Sequence, residues 1–460
     1  MSVSLYVDCV CGNYVGAIAE DGRLVEYRVE KKNSAVPIGS VFKGKVENVL
    51  GGMQAAFVNV GLSRNGYLSA GDMLMDKSEI DGKVDIPSVL NLNPGDEIMV
   101  QAVKDPAGTK GVRLTCHVSF AGRYVVFLPT FSFVGVSRKI TDEKNRERLL
   151  KIARKVCPDG KGLIVRTAGE NASNGDIKRE VKYFAALYEE IEKNFAAAKS
   201  GTCIYEEGNV GMRLLRDVYN DDVEKFVVSD KDLFNELLKY AKKLDSGLKK
   251  VLKYYDKKTD MFEYYGLNSD VEKMLDGSVS LKNGAYIVID KTEAMTVIDV
   301  NTGKFTGEDN LEDTVFETNI LAAKEIAVQL RLRNISGIIV VDFIDMEIPE
   351  HRSELLRVLS EELKTDRERC QVIGMTPLGL VEITRKKRRR ESLSMLVKDC
   401  PYCLGTGKIE SNDYIVMRIR TALMDLFADG YENAKIDLNI EICDYILAKK
   451  SLKKDVEAIW

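Results

Sequence analysis

Residues 285–290 read AYIVID, 294–300 read AMTVIDV, 311–333 read LEDTVFETNILAAKEIAVQLRLR, and 337–342 read GIIVVD. The first two runs are short and rich in β-branched residues, which predicts strands. In the third, Val315, Phe316, Ala322, Ala323, Ile326, Ala327 and Leu330 recur at three- and four-residue intervals, the spacing of a helix face. GIIVVD predicts a buried strand, and Pro349 then opens a helix that buries Leu355, Leu356, Leu359 and Leu363. Strands alternating with helices imply an α/β layer.

Two of these strands end on aspartates, Asp299 and Asp342, at the place where open α/β sheets hold ligands and reactive groups. A magnesium ion takes oxygen ligands, keeps several waters and shares one or two carboxylates with substrate phosphates. Such an ion polarises a phosphodiester and acidifies a bound water for in-line attack. Asn301 adds an amide able to orient that water. The competing reading is that aspartates after strands make turns and cap helices. Asp345 is expected to start the next helix, with support of the ligands as its alternative, and Glu293 is near enough in sequence to join the site.

Composition narrows the classes. At 460 residues, several packed units are expected, and 45% hydrophobic with 30% charged residues describes a chain that folds. No apolar run approaches a membrane span, and residues 1–10 lack the order of a secretory signal, so a cytoplasmic location is expected. Nine cysteines, an odd number, oppose a disulfide framework. A net charge of -4 leaves nucleic-acid binding to local basic surface, and with only two histidines, carboxylates or a metal carry any chemistry.

Elsewhere, VFKGKVENVL, MQAAFVNVG, YLSAGDM and two later runs, punctuated by Gly51-Gly52 and Arg64-Asn65-Gly66, predict a five-stranded OB-type barrel. Mixed structure follows, with strands at YVVFLP and KGLIVRTAG and helices from Glu143 to Lys155 and through EVKYFAALYEEIEKNFAAA. Asp217 to Asp276 reads as mostly helical. Cys400-Pro-Tyr-Cys403, followed by Gly405-Thr406-Gly407, is half a zinc site, or alternatively a redox pair. Two chains each donating two thiolates would complete it. Six cations in a row, Arg385 to Arg390, are either a solvated face or a clamp on a nucleic-acid backbone.

IVIDKTEAMTVIDVNTGKFTG, followed by FETNILAAKEIAVQLRLRNISGIIVVDFIDME, closely resembles the catalytic region of the ribonuclease E/G family, with ribonuclease G the nearer likeness because the chain ends soon after the cysteine pair. The resemblance implies an endoribonuclease that cuts single-stranded RNA, in ribosomal RNA maturation and messenger turnover, leaving a 5′-phosphate and a 3′-hydroxyl. It assigns magnesium to Asp299 and Asp342, with Asn301 assisting, and a zinc ion shared between the protomers of a homodimer to Cys400 and Cys403, with a tetramer left open. It makes the barrel an S1-type RNA-binding domain, with Phe57 and Tyr67 stacking on bases and Lys104 and Lys110 following the backbone. Residue preference alone would bury Phe57, whereas an inward-facing Ala56, Val58 and Val60 would turn it outward. A pocket of Gly122, Val126, Arg166 and Thr167 is implied to sense a 5′-monophosphate. The implied order is an RNase H-like part at 1–35, the S1 barrel at 36–120, the sensor at 121–212, a second RNase H-like part at 213–278, a DNase I-like catalytic domain at 279–398, the zinc link at 399–408 and a small C-terminal domain at 409–460. A non-catalytic S1-type RNA-binding or ribosome-associated protein is the alternative.

Overall fold

Strand Met295–Asn301 alternates strictly: Thr296, Ile298 and Val300 are buried, while Met295 and Asp299 face outward. It lies inside a six-stranded sheet with spatial order Ser278–Ser280, Tyr286–Lys291, Met295–Asn301, Gly337–Asp342, Leu380–Arg385, Cys370–Met375. Helices Leu311–Leu332 and Pro349–Leu363 pack on one face, where Ile287, Ile298, Ile339 and Val341 meet Ile326 and Leu355. On the opposite face, among the described residues, Asp299, Ile338 and Asp342 are exposed and Val297 and Val340 half-buried. GIIVVD is therefore buried on one side only, with Ile338 51% exposed, because a single helical layer covers the sheet and the pleat turns every second residue away from it.

These features belong to a computed structural model, which describes residues 2–32, 38–69, 91–104, 111–220, 222–244, 247–303, 311–387, 391–403 and 405–448. Two units are distinguished, Met1–Leu396 and Val397–Trp460. In the first, a five-stranded sheet runs Leu252–Tyr254, Val223–Val228, Val3–Val10, Asn13–Glu20, Arg23–Lys31. Its first three members are parallel and the rest form a meander. Residues 217–276 are largely helical as expected, with Lys231–Leu244, Leu248–Val251, Met261–Tyr264 and Asn268–Leu275, but they also contribute the strands Val223–Val228 and Leu252–Tyr254. The six residues of Val223–Val228, bracketed by charged helices, carry little strand signal, and their partner, Val3–Val10, is far away in the sequence.

The barrel is present near the N-terminus. Val41–Leu50 pairs with both Ala55–Asn59 and Glu97–Lys104, and Gly66–Ser69 and Arg113–Thr115 complete the ring. A four-stranded sheet of Val134–Val136, Gly162–Val165, Val125–Leu128 and Phe120–Ala121 carries helices Glu143–Val156 and Asn174–Ala197. Asp142 and Ser173 cap those helices by accepting from Lys144 N and Asp176 N. The second unit contains the Cys400 loop and helices Asn412–Ala428 and Ile440–Ala448.

Helix Leu311–Leu332 packs on the sheet that carries Asp299 and also reaches strand Arg23–Lys31 of the five-stranded sheet. Arg331 pairs with Glu20 at 2.6 Å, and Glu325 with Arg23 at 2.6 Å, tying the helix to the five-stranded sheet. The basic run is also corrected. Arg385 ends a strand and is buried, its Nε donating to the buried Asp366 at 2.7 Å and its Nη1 to Asn334 and Ile335 O. Lys387 is exposed, and residues 388–390 are outside the described residues. Arg385→Ala would strand a buried carboxylate, and a loss of about 3–5 kcal/mol is expected by urea denaturation. Lys387→Ala should stay within about 0.5 kcal/mol of the parent protein.

Candidate active site and RNA-holding surfaces

Asp299 and Asp342 are direct register partners on adjacent parallel strands, so their side chains project from the same face about 4.8 Å apart at the backbone. Both are exposed, on the side the helices leave open. Asn301 Nδ2 donates to Asp299 Oδ2 at 2.8 Å. Across the ladder, Val288 faces Asp299 and Tyr286 faces Asn301. Among the described residues, no lysine or arginine is paired with either aspartate. Two unneutralised carboxylates on an open face fit a magnesium ion, which needs few protein oxygens and completes its shell with water and phosphate. Among the described residues there is no group of three or more metal-binding side chains that would favour a dedicated cage.

One expectation is corrected here and one open residue is placed. Asp345 does not start the next helix: the N-cap position is Ile348, which makes no side-chain cap bond. Glu312 does that work from the neighbouring helix, accepting from Glu347 N and Ile348 N at 3.1 Å each and bonding His351 Nδ1 at 3.2 Å. Glu293 occupies the turn that precedes Met295–Asn301, six residues before Asp299, roughly 20 Å away along an extended chain. Sequence reasoning missed Asn319, fully buried, which donates to Ile344 O at 2.7 Å and accepts from Ile344 N at 3.1 Å. Its signal was a short amide set between the apolar positions Val315, Phe316, Ala322 and Ala323 of the helix. Together Asn319 and Glu312 pin the loop that follows Asp342.

On the barrel, Ala56, Val58 and Val60 are buried, so Phe57 points outward and is half-buried. Tyr67 is its cross-strand partner, the ring centroids 5.9 Å apart at 66°. Lys104 is exposed at the end of its strand, two ladder steps from Tyr67 through Arg113. Lys110 is outside the described residues.

The four-stranded sheet brings Gly122 and Arg166 together. Arg166 Nη1 donates to Gly122 O and, at 2.9 Å, to Asp217 Oδ1, while among the described residues Nε and Nη2 have no acceptor. Thr167 is exposed next to it, sharing a 3.0 Å hydrogen bond with Ser137 Oγ. Val126 stands on the adjoining strand, its side chain packed with Leu128 and Ile164. Behind Arg166, Asp217 also accepts from Arg216, which reaches Glu207. Burial would raise the Asp217 pKa, but Arg216 and then Arg166 outweigh it and hold the carboxyl below its ordinary range. This ion-pair chain begins in the segment that carried no chemical signature in the sequence.

In the second unit, Cys403 Sγ accepts from Gly407 N at 3.3 Å. The Gly407 and Gly405 amides, with a further bond from Cys400, draw the Cys403 thiol below its usual range. Amides directed at sulfur are the surroundings of a metal-binding thiolate. Two cysteines make half a tetrahedral set, and no third His, Cys, Asp or Glu joins them among the described residues.

The fold is a mixed α/β chain with an OB-type barrel near the N-terminus and a pair of exposed carboxylates on one sheet face. Residues 119–388 match the model of the ribonuclease E/G family. The chain is 36% identical over 443 residues to ribonuclease G of Haemophilus influenzae, covering 95% of this chain and 90% of that one. It is 35% identical over 426 residues to ribonuclease G of Escherichia coli K12, covering 91% and 87%. Ribonuclease E of Nostoc sp. PCC 7120 is 37% identical over 376 residues, 80% of this chain and 54% of that protein. The chain belongs to the ribonuclease E/G family.

Glu312 gives a pH test of the pinned loop. The Ile348 and Glu347 amides, then His351, hold its carboxyl below the usual glutamate range. A carboxyl depressed in the folded state stabilises above its unfolded pKa and loses that contribution as pH falls through the folded value. Glu312→Gln should therefore lower the urea midpoint at neutral pH, and the gap from the parent should close in acid.

Proposed function

We propose that this chain is a magnesium-dependent endoribonuclease that cuts single-stranded RNA, prefers 5′-monophosphate ends, and serves ribosomal RNA maturation and messenger turnover. Family membership carries the endoribonuclease activity and decides against the non-catalytic alternative. The observation that carries the site is the register pairing of Asp299 with Asp342 on an open sheet face.

Asp299 and Asp342 would hold the magnesium ion. Bound there, the ion supplies charge neutralisation at the phosphodiester and a more acidic water. The protein's own part is to keep the two carboxylates level on adjacent strands and to orient Asp299 through the Asn301 amide. Phe57 and Tyr67 present ring faces on which bases stack, each worth about 1–3 kcal/mol. The open side of the Arg166 fork and the Thr167 hydroxyl receive a terminal phosphate, leaving the RNA poised across the cleavage site at raised local concentration. The products are a 5′-phosphate and a 3′-hydroxyl.

We read the six-stranded sheet as DNase I-like, the five-stranded sheet as RNase H-like and the barrel as S1-type. Cys400 and Cys403 of two copies would share one zinc ion and make a homodimer. Free cysteines throughout the described residues accord with a cytoplasmic location, and no described helix is long and apolar enough to cross a membrane.

Asp299→Asn should lower cleavage of a 5′-monophosphorylated oligoribonucleotide about 100-fold or more in magnesium, with binding by fluorescence anisotropy unchanged. Full cleavage by that variant would sink the assignment. Zinc analysis should find one ion per two chains, and chelation should shift the sedimentation profile toward monomer before single-turnover cleavage falls. One ion per chain would refute a shared site.

A further inference from the structure

Glu180 lies within helix Asn174–Ala197, is 2% exposed, and has no role in the chemistry described above. Its carboxylate accepts three consecutive backbone amides: Arg123 N at 2.7 Å on Oε1, and Tyr124 N and Val125 N at 2.9 Å each on Oε2. The same turn is closed by Gly122 N donating to Val125 O at 2.7 Å. Arg166 is fastened to this turn at both ends, its backbone N donating to Tyr124 O at 2.8 Å and its guanidinium to Gly122 O. A Cβ at Gly122 would come within 2.3–2.6 Å of the Glu180 carboxyl, so only glycine lets the clamp close.

We propose that Glu180 is the positioning residue of the 5′-end pocket, clamping the turn at residues 122–125 so that the Arg166 fork is set for a terminal phosphate. This rests on the reading of that pocket as the 5′-monophosphate sensor. Burying a carboxylate is costly, and three charge-assisted bonds to one turn offset that cost only while the turn keeps this shape. The clamp therefore stiffens the turn and, through it, Arg166. A preorganised guanidinium spends less of its binding energy on ordering when the phosphate arrives.

The test compares kcat/KM for one oligoribonucleotide carrying a 5′-monophosphate or a 5′-hydroxyl, in magnesium, for the unaltered enzyme, Glu180→Gln and Glu180→Asp, with thermal melting of each. Gln keeps one acceptor oxygen but no charge, whereas Asp keeps the charge but is one methylene too short to reach all three amides. A phosphate-over-hydroxyl ratio above one in the unaltered enzyme that falls about tenfold, or to unity, in whichever variant is folded, through KM on the phosphorylated substrate, supports the role. A retained ratio in a folded variant overturns the role of Glu180 and leaves end sensing intact. An equal fall on both substrates also overturns it, since it marks a general structural part. A ratio of one in the unaltered enzyme overturns the end-sensing reading itself, and this proposal with it.

Discussion

Parallel pairing of Met295–Asn301 with Gly337–Asp342 is the constraint on which the candidate active site depends. Parallel neighbours need a long crossover, and helix Leu311–Leu332 occupies it. Two carboxylates side by side repel each other by about 1 kcal/mol even in water. They are held there by the backbone ladder and by burial of Ile298, Ile339 and Val341 beneath them. The apolar side of the sheet thus decides where the two carboxylates stand on its polar side.

The crossover helix has further duties. Asn319 and Glu312 hold the loop after Asp342, and Arg331 and Glu325 reach the five-stranded sheet. One helix thus fixes the carboxylate strands, the loop beyond them and the neighbouring sheet. A second chain of charges, Arg166 to Asp217 to Arg216 to Glu207, does comparable work around Arg166, joining the four-stranded sheet to the helix Val210–Asp217 and to the segment leaving the barrel's edge strand Thr202–Tyr205. Buried pairs of this kind contribute little net stability against apolar packing, and their use is in placing a side chain.

Local pattern made much of this legible. The strand–helix–strand order around Asp299 and Asp342, the barrel with its Gly51-Gly52 turn, and the helices Glu143–Val156 and Asn174–Ala197 follow from periodicity and turn chemistry acting over a few residues. Phe57 was an open question that alternation answered once Ala56 and Val58 were found inside. Asp345 was misjudged because the helix start at Pro349 is served by a carboxylate from another helix, and Glu293, left open by its place in the sequence, stands at a turn several residues along an extended strand from Asp299. Arg385 was read with its basic neighbours, although the strand's period turns it toward Asp366 and away from solvent.

The sequence by itself determined the chemical inventory: which strands end on carboxylates, which loop carries two thiols, which residues alternate. These depend on covalent order and short-range sterics. Tertiary structure alone decided that Asp299 and Asp342 stand level, that Val223–Val228 enters a sheet begun at Val3, and that Glu180 closes on residues 122–125. Each is a contact between segments distant in the chain, set by ladder register and the burial of apolar faces rather than by any local preference.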